Sequence, residues 1–491
     1  MANQLEPKKI QSIGVYGLIR PAAVDDALIP EGAVTESINF HFDRKGAATV
    51  RPGMTALGST VLASRPGVGL FNAQSGTPIV VFSNGSSSAI YSYSSGAWGV
   101  SLDGGTASVR IRFLDFGSYT IAINFIQNTY SSMRFWNAGS SRHWHFTGNP
   151  LNLQNMWGYT PQLGEVFKNR VYFAGDTSKE GGGSRLFFSS VISSSGRITF
   201  TPTEDYVDLN PGDGESITGL KRYSTELVVA KPNYIYRFNT TSTDPDPLIK
   251  VGTRSQESMV EGNRGLYFHH DSGFYRYTGG YPTMISLPIK DFVDAIPFSQ
   301  FSSIVGWNDS DHIYWSVGNL TVTEVGLSET IKNVVLCYTE SSDLWSVFSV
   351  SSDIRRAITY TSGTTISRIA ALDNGVVTTL NIGTTDLGEP IEYRLRTKWL
   401  DWDSLEQQKV LQEIATICEK AQLSEIMYQI DDSDTWISIG QIKSFSSLFT
   451  NLNIKFKRIR FRVSGMSRYE ASIFRGINVL KVLGEGIMPE Q

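Results

Sequence analysis

The feature that most constrains this chain is a weakly repeated pair of short strands running through residues 77–380. The first strands are Ile79-Val80-Val81-Phe82, Ile121-Ala122-Ile123, Val171-Tyr172-Phe173, Leu227-Val228-Val229, Leu266-Tyr267-Phe268, Ile313-Tyr314-Trp315 and Ile369-Ala370-Ala371. Their starts lie 42, 50, 56, 39, 47 and 56 residues apart. Each is followed by a partner: Ile90 to Tyr93, Met133 to Trp136, Leu186 to Phe188, Tyr234 to Phe238, Phe274 to Tyr277, Val334 to Tyr338 and Val376 to Leu380. A repeat of that period built from hairpins predicts a radial all-β architecture, a six- or seven-bladed β-propeller. Polar turns such as Lys168-Asn169-Arg170, Ser224-Thr225-Glu226 and Asp309-Ser310-Asp311 precede several first strands and let the chain reverse into each hairpin.

Composition agrees with this class. The 45 glycines, 12% aromatic and only 18% charged residues suit many short strands joined by tight turns, not a helical bundle. At 491 residues the chain buries enough surface to need neither disulfide nor metal, and it divides into two or three domains. A net charge of -4 argues against a general nucleic-acid binder, because neutralising phosphates takes a surplus of Lys and Arg. Cys337 and Cys418 stand in separate apolar stretches and read as buried thiols. The first ten residues show no signal peptide, and no apolar run approaches the roughly 18 residues a membrane span needs. The expectation is a protein without a membrane anchor, made and assembled in the cytoplasm.

Three regions follow. Residues 1–60 carry Ile38-Asn39-Phe40-His41-Phe42, Gly46 and Val50-Arg51-Pro52-Gly53, read as strand, turn and strand that join the C-terminal platform. The propeller occupies 61–385, with insertions at 138–162, 239–258, 280–300 and 318–330. Residues 386–491 form a β-sandwich-like platform. Within it Val410 to Cys418 is ambiguous: Val410, Ile414, Ile417 and Cys418 match a helical face that Ser404 would cap, and periodicity alone favours helix.

Few residues suggest chemistry. His143 and His145 share a strand face but no third ligand joins them, and His269 and His270 point to opposite faces of a strand. Asp431-Asp432-Ser433-Asp434 lacks the glycine of a calcium loop and reads as a solvated hairpin turn. No nucleophile elbow, phosphate-binding loop or zinc-protease motif occurs, so the chain offers no catalytic residue, cofactor site or metal site and reads as non-enzymatic. The insertion at 138–162, with Trp144, Phe146, Met156, Trp157 and Tyr159, is a candidate contact or gate loop. Lys455, Lys457, Arg458, Arg460 and Arg462 interleave with apolar residues as on a half-buried strand, a candidate docking strand for an acidic partner. The adjacent Lys457 and Arg458 break the alternation and predict a bulge.

The N-terminal Asn39-Phe40-His41-Phe42, Gly46 and Arg51-Pro52-Gly53, the central repeat, and the C-terminal Lys457 to Val463 with Phe474-Arg475-Gly476-Ile477-Asn478-Val479 together resemble the tail hub, or nozzle, proteins of short-tailed bacteriophages. The resemblance implies a homo-hexamer below the portal and a head-to-tail adaptor ring, bearing tail fibres, spikes or a needle. Double-stranded DNA would pass through its lumen, and the protein would sit in the virion tail, retaining DNA until ejection. The alternative is a propeller-type carbohydrate- or receptor-binding tail protein.

Overall fold

The seven sequence hairpins are the two middle strands of seven propeller blades. The structure is a computed structural model describing the chain apart from residues 1–4, 8–10, 21–28, 43–45, 60–64, 85, 107–109, 129–130, 138–140, 146–159, 179–182, 194–197, 202, 239–245, 325–326, 363, 403–405, 422, 432, 444 and 486–491. Blades 1 to 5 are separate four-stranded antiparallel meanders that run from Gly67–Asn72 to Ala97–Thr106, Arg112–Phe116 to Ser141–His145, Leu163–Phe167 to Tyr206–Asp208, Gly219–Tyr223 to Asp246–Ile249 and Val260–Glu261 to Thr283–Met284. Blade 6 comprises Val305–Asp309, His312–Glu324, Leu327–Thr339 and Leu344–Ser349. Its insertion at 318–330 is no loose loop but the far end of a long hairpin, with Leu320 opposite Ile331.

Blade 7 is built from both ends of the propeller. Ile354–Ser362, Thr365–Leu372 and Val377–Leu380 supply three strands, and Met54–Ala56 from the N-terminal region supplies the fourth, antiparallel to Val377–Leu380. The ring closes where the first strand of blade 7 meets that of blade 1, and Arg356 Nε donates to Val68 O at 3.2 Å. Such a strand exchange ties the ring shut by backbone hydrogen bonds.

The middle strands are apolar for a physical reason. They are covered on both faces by neighbouring blades, so Val80, Ile121, Val171, Val228, Phe268 and Ile369 are fully buried and no polar alternation survives. Residues with positive φ make the turns between first and second strands: Lys168 and Asn169 (φ 46° and 60°) form a two-residue reversal of the kind whose twist suits a hairpin.

The platform packs two sheets around one core. One sheet carries Lys409–Glu419, Ile473–Glu485, Phe445–Phe449 and Ile454–Phe456, with Leu5–Pro7, Gln11–Ile13, Phe40–Phe42 and Ala48–Val50 from the N-terminal region. The other carries Glu389–Thr397, Ile459–Ser467, Ser424–Ile430 and Ile437–Ile442 and continues through Val34–Ile38 into blade 6. Val410 to Cys418 is therefore strand, not helix. A register shift between Leu411 and Ile414 moves the buried set from Lys409 and Leu411 to Ile414, Thr416 and Cys418. Ile414 and Cys418 face the core while Val410 and Ile417 lie on the less buried face, so the helical spacing came from apolar residues on both faces of one strand. The N-terminal strand also differs: it breaks at Asn39, whose φ is 65°, into Val34–Ile38 and Phe40–Phe42.

Arg51 locks these parts together. Its five N–H groups all find acceptors: Nε donates to Asn39 Oδ1 at 2.8 Å, and the terminal nitrogens to Asp386, Ser349 O and Pro52 O at 2.5 to 3.1 Å. Gly53 follows because a Cβ there would lie 2.0 Å from Thr385 O. In the core, Trp315 and Trp345 of blade 6 stack at 5.9 Å and donate to Ser258 O and Ile285 O, which flank blade 5, within a cluster that the platform shares.

Candidate functional site

The basic stretch at 455–462 is two strands rather than one bulged strand. Ile454–Phe456 pairs with Lys409–Glu419 in one platform sheet, while Ile459–Ser467 pairs with Glu389–Thr397 and Ser424–Ile430 in the other. Lys457 and Arg458 are where the chain crosses between sheets. Asp431 Oδ1 accepts both of their backbone N–H groups, at 2.8 and 3.0 Å, which fixes the crossing. Asp431 thus ends its hairpin as a turn residue, as the sequence suggests.

Alternation along Ile459–Ser467 then sorts the side chains. Ile459, Phe461 and Val463 enter the core, and Arg460 and Arg462 face the other way, in line with Arg458. Two tryptophans from neighbouring segments slot between the guanidiniums. Arg458 and Arg460 lie 4.6 and 4.4 Å from the Trp399 ring centre, and Arg460 and Arg462 lie 5.5 and 4.2 Å from that of Trp436. Each stacked pair is worth about 0.5–1 kcal/mol at an exposed site and about 2 when desolvated. Arg460 Nε also donates to Gln429 Oε1 at 2.7 Å. The result is a ladder of alternating arginine and tryptophan.

The ladder borders a cleft of about 240 Å3 between the platform and the long blade 6 hairpin. Strand register places Arg396 directly opposite Arg462, and Glu36 opposite Arg396. Two like charges side by side repel, and Glu36, 4% exposed, answers them: its carboxylate lies 3.6 Å from Arg396, 3.4 Å from Arg462 and within ion-pair distance of Arg394. Burial alone would raise the Glu36 pKa, but Arg396, Arg394, Arg462 and Arg20 outweigh it and hold it below the usual carboxylate value. Burial pushes Arg462 the other way, below the usual guanidinium value, with Glu36 opposing. Arg394 reaches on to Glu329 of the blade 6 hairpin at 2.5 Å. The cleft presents ordered guanidiniums anchored on rigid strands, a geometry suited to carboxylates or phosphates.

Of the five docking-strand residues, Arg458, Arg460 and Arg462 line this cleft. Lys455 belongs to the opposite sheet, and Lys457 is exposed at the crossing; neither lines it, because the crossing separates them from the ladder. Sequence reading missed Glu36, Arg394, Arg396, Trp399 and Trp436. The alternating Arg394-Leu395-Arg396 was the available signal, but only the pairing of the strands shows that it faces Arg462. In the proposed gate loop, Trp144 sits on the outer strand of blade 2, paired with Trp136, and Phe146, Met156, Trp157 and Tyr159 lie outside the described residues. His143 and His145 share that strand. His269 is buried and His270 half-buried, on opposite faces. Among the described residues no group of three or more His, Cys, Asp or Glu is placed to hold a metal ion, and no helix is long and apolar enough to cross a membrane. Cys337 and Cys418 are buried free thiols.

Fold and site define a β-propeller protein with seven blades among the described residues and a strand-linked platform carrying a cationic cleft. No protein-family model matches the chain, and no curated protein matches it. Solved structures similar to it include a catalytically inactive virginiamycin B lyase from Staphylococcus aureus with quinupristin, at 13% identity and TM-score 0.40, covering 66% of this chain and 98% of that one. The AfRom2 CNH domain is similar at 10% identity and TM-score 0.39, covering 67% and 99%, and the Neurospora crassa Pan2 WD40 domain at 9% and 0.36, covering 69% and 96%.

Proposed function

We propose that this chain is a structural virion protein, a tail nozzle or hub subunit of a short-tailed phage that assembles as a ring of six, extends the DNA exit channel and retains packaged DNA until ejection. The observation that carries the reading is the arginine–tryptophan ladder on the platform. It is a pre-ordered cationic surface on a chain of net charge -4, so a neighbouring copy offers abundant carboxylates to meet it. A patch that meets a different patch on the next copy is a heterologous interface, and such interfaces close into rings by rotation. A platform continuous by strand pairing with blades 6 and 7 holds that patch rigidly relative to the propeller. In this reading the adaptor ring and the tail fibres, spikes or needle dock on the ring, DNA passes through its lumen, and no catalytic step is involved.

Light scattering and negative-stain imaging of the purified protein, alone and with virion components, test it. Six-fold rings, or a monomer that forms them only on a particle, are expected. A stable trimer, or a monomer retained on glycan surfaces, would overturn the hub reading in favour of a carbohydrate- or receptor-binding tail protein.

A further inference from the structure

The second concentration of arginine lies on the propeller axis, far from the ladder in sequence and built by different elements. A cavity of about 810 Å3 opens at one mouth of the ring. Blades 1, 2, 3, 4 and 7 contribute at or beside the start of their first strands, through Val68, Arg112, Leu163, Thr218 and Arg356, and the segments leading into blades 5 and 6 contribute Arg254, Ser302 and Ser303. Five arginines line it: Arg110, Arg112, Arg254, Arg355 and Arg356. No carboxylate is among the described lining residues.

The carboxylates that do answer these arginines stand behind the wall. Glu257 takes Arg110 at 2.6 Å and Arg112 at 2.8 Å. Asp271 takes Arg254 at 2.7 Å, and Asp353 takes Arg355 at 3.3 Å. Arg356 is left over. It is 8% exposed, its guanidinium donates only to the backbone carbonyls of Val68 and Arg355, and among the described residues no carboxylate lies within ion-pair distance. Burial pushes its pKa down, Glu257 opposes this, and Arg110, Arg112 and Arg355 add to the fall. A guanidinium nevertheless stays protonated at neutral pH. A buried, charged group without an ion-paired carboxylate of its own is costly, and here it faces an open cavity ringed by further cations.

We propose that the propeller axis is a binding site for a phosphate-type oxyanion, with Arg356 as its central contact. Planar guanidiniums converging from blades 2 and 7 match phosphate geometry by paired N–H donors. The volume is that of a site for a nucleotide-sized molecule, and Leu163 and Ile217 add an apolar wall. The inference does not depend on the tail reading, since it rests on the axis and not on the platform.

Calorimetric titration of the full chain with pyrophosphate tests the site, with adenosine diphosphate in parallel. Saturable binding of pyrophosphate is expected, weakened about tenfold or more in Arg356→Gln, the loss of one charge-assisted contact. Ser302→Glu, which places a carboxylate on the exposed lining, is expected to abolish it. Circular dichroism confirms that each variant is folded, and either variant suffices if the other is not. Tighter binding of adenosine diphosphate would add a nucleoside to the ligand; equal binding would leave the phosphates alone as what is recognised. No pyrophosphate binding by the wild-type chain, or unchanged affinity in a folded variant, overturns the proposal.

Discussion

Glu36 shows how one side chain controls a cluster. It answers Arg394, Arg396 and Arg462, and removing its charge leaves three close guanidiniums without their common partner. Glu36→Gln is expected to cost about 3 kcal/mol at neutral pH, read as a lower urea midpoint. The folded pKa is depressed, so the stabilisation is complete above the unfolded value of 4.5 and is lost as pH falls through the lower folded value. The gap between wild type and variant should close in acid; a gap that persists there would refute the assignment. His269 acts with the same sign. It packs between Phe274 and Phe301 at 4.9 and 4.7 Å, and burial lowers its pKa from 6.5 to about 3, with Asp271 opposing and His270 assisting. The unfolded chain takes up a proton below 6.5 that the folded one refuses down to about 3, so stability falls across that window. His269→Phe should flatten the pH dependence of the denaturation midpoint between those values; an unaltered slope would show that His269 does not titrate on unfolding.

At the level of elements, the exchanged strand Met54–Ala56 is the most exacting test of the ring. Met54 is 2% exposed and packs in the cluster that holds Ile354 and Leu380. Met54→Asp buries a charge there and is expected to release the strand, so that amides of Val377–Leu380 exchange faster with solvent while those of Arg170–Ala174 in blade 3 keep their protection. Equal protection in both places would mean that blade 7 holds without its fourth strand. The same elements explain what the sequence revealed. Middle strands such as Ile121 to Ile123 are covered on two faces and advertise themselves as apolar runs. First strands such as Ile354–Ser362 line the axis with arginine, and the exchanged strand lies more than 300 residues from its partner, so neither carries a local signal. In the platform, apolar residues on both faces of Lys409–Glu419 disguised a strand as a helix, and the crossing at Lys457 and Arg458 disguised two strands as one. The arginine ladder was half legible, because spacing shows that Arg460 and Arg462 share a face but says nothing of Trp399, Trp436 or Glu36.

For the whole molecule, cationic surface is gathered at two places, the platform cleft and the propeller axis, on a chain whose net charge is -4. If the ladder joins copies into a ring, Arg460→Ala should abolish six-fold particles in negative stain while leaving the circular dichroism spectrum unchanged; rings that form normally would move the interface elsewhere. Strand pairs far apart in sequence also impose an order of events on synthesis. Leu5–Pro7 and Gln11–Ile13 pair with Ile473–Glu485, and Met54–Ala56 pairs with Val377–Leu380. Strands Leu5–Pro7 and Gln11–Ile13 must therefore wait for partners made more than 450 residues later, while blades 1 to 5 complete themselves in turn as they emerge. A polypeptide cut short by a premature stop would keep bare strand edges that only the missing C-terminal segments can cover, and would aggregate or be degraded before it entered any assembly.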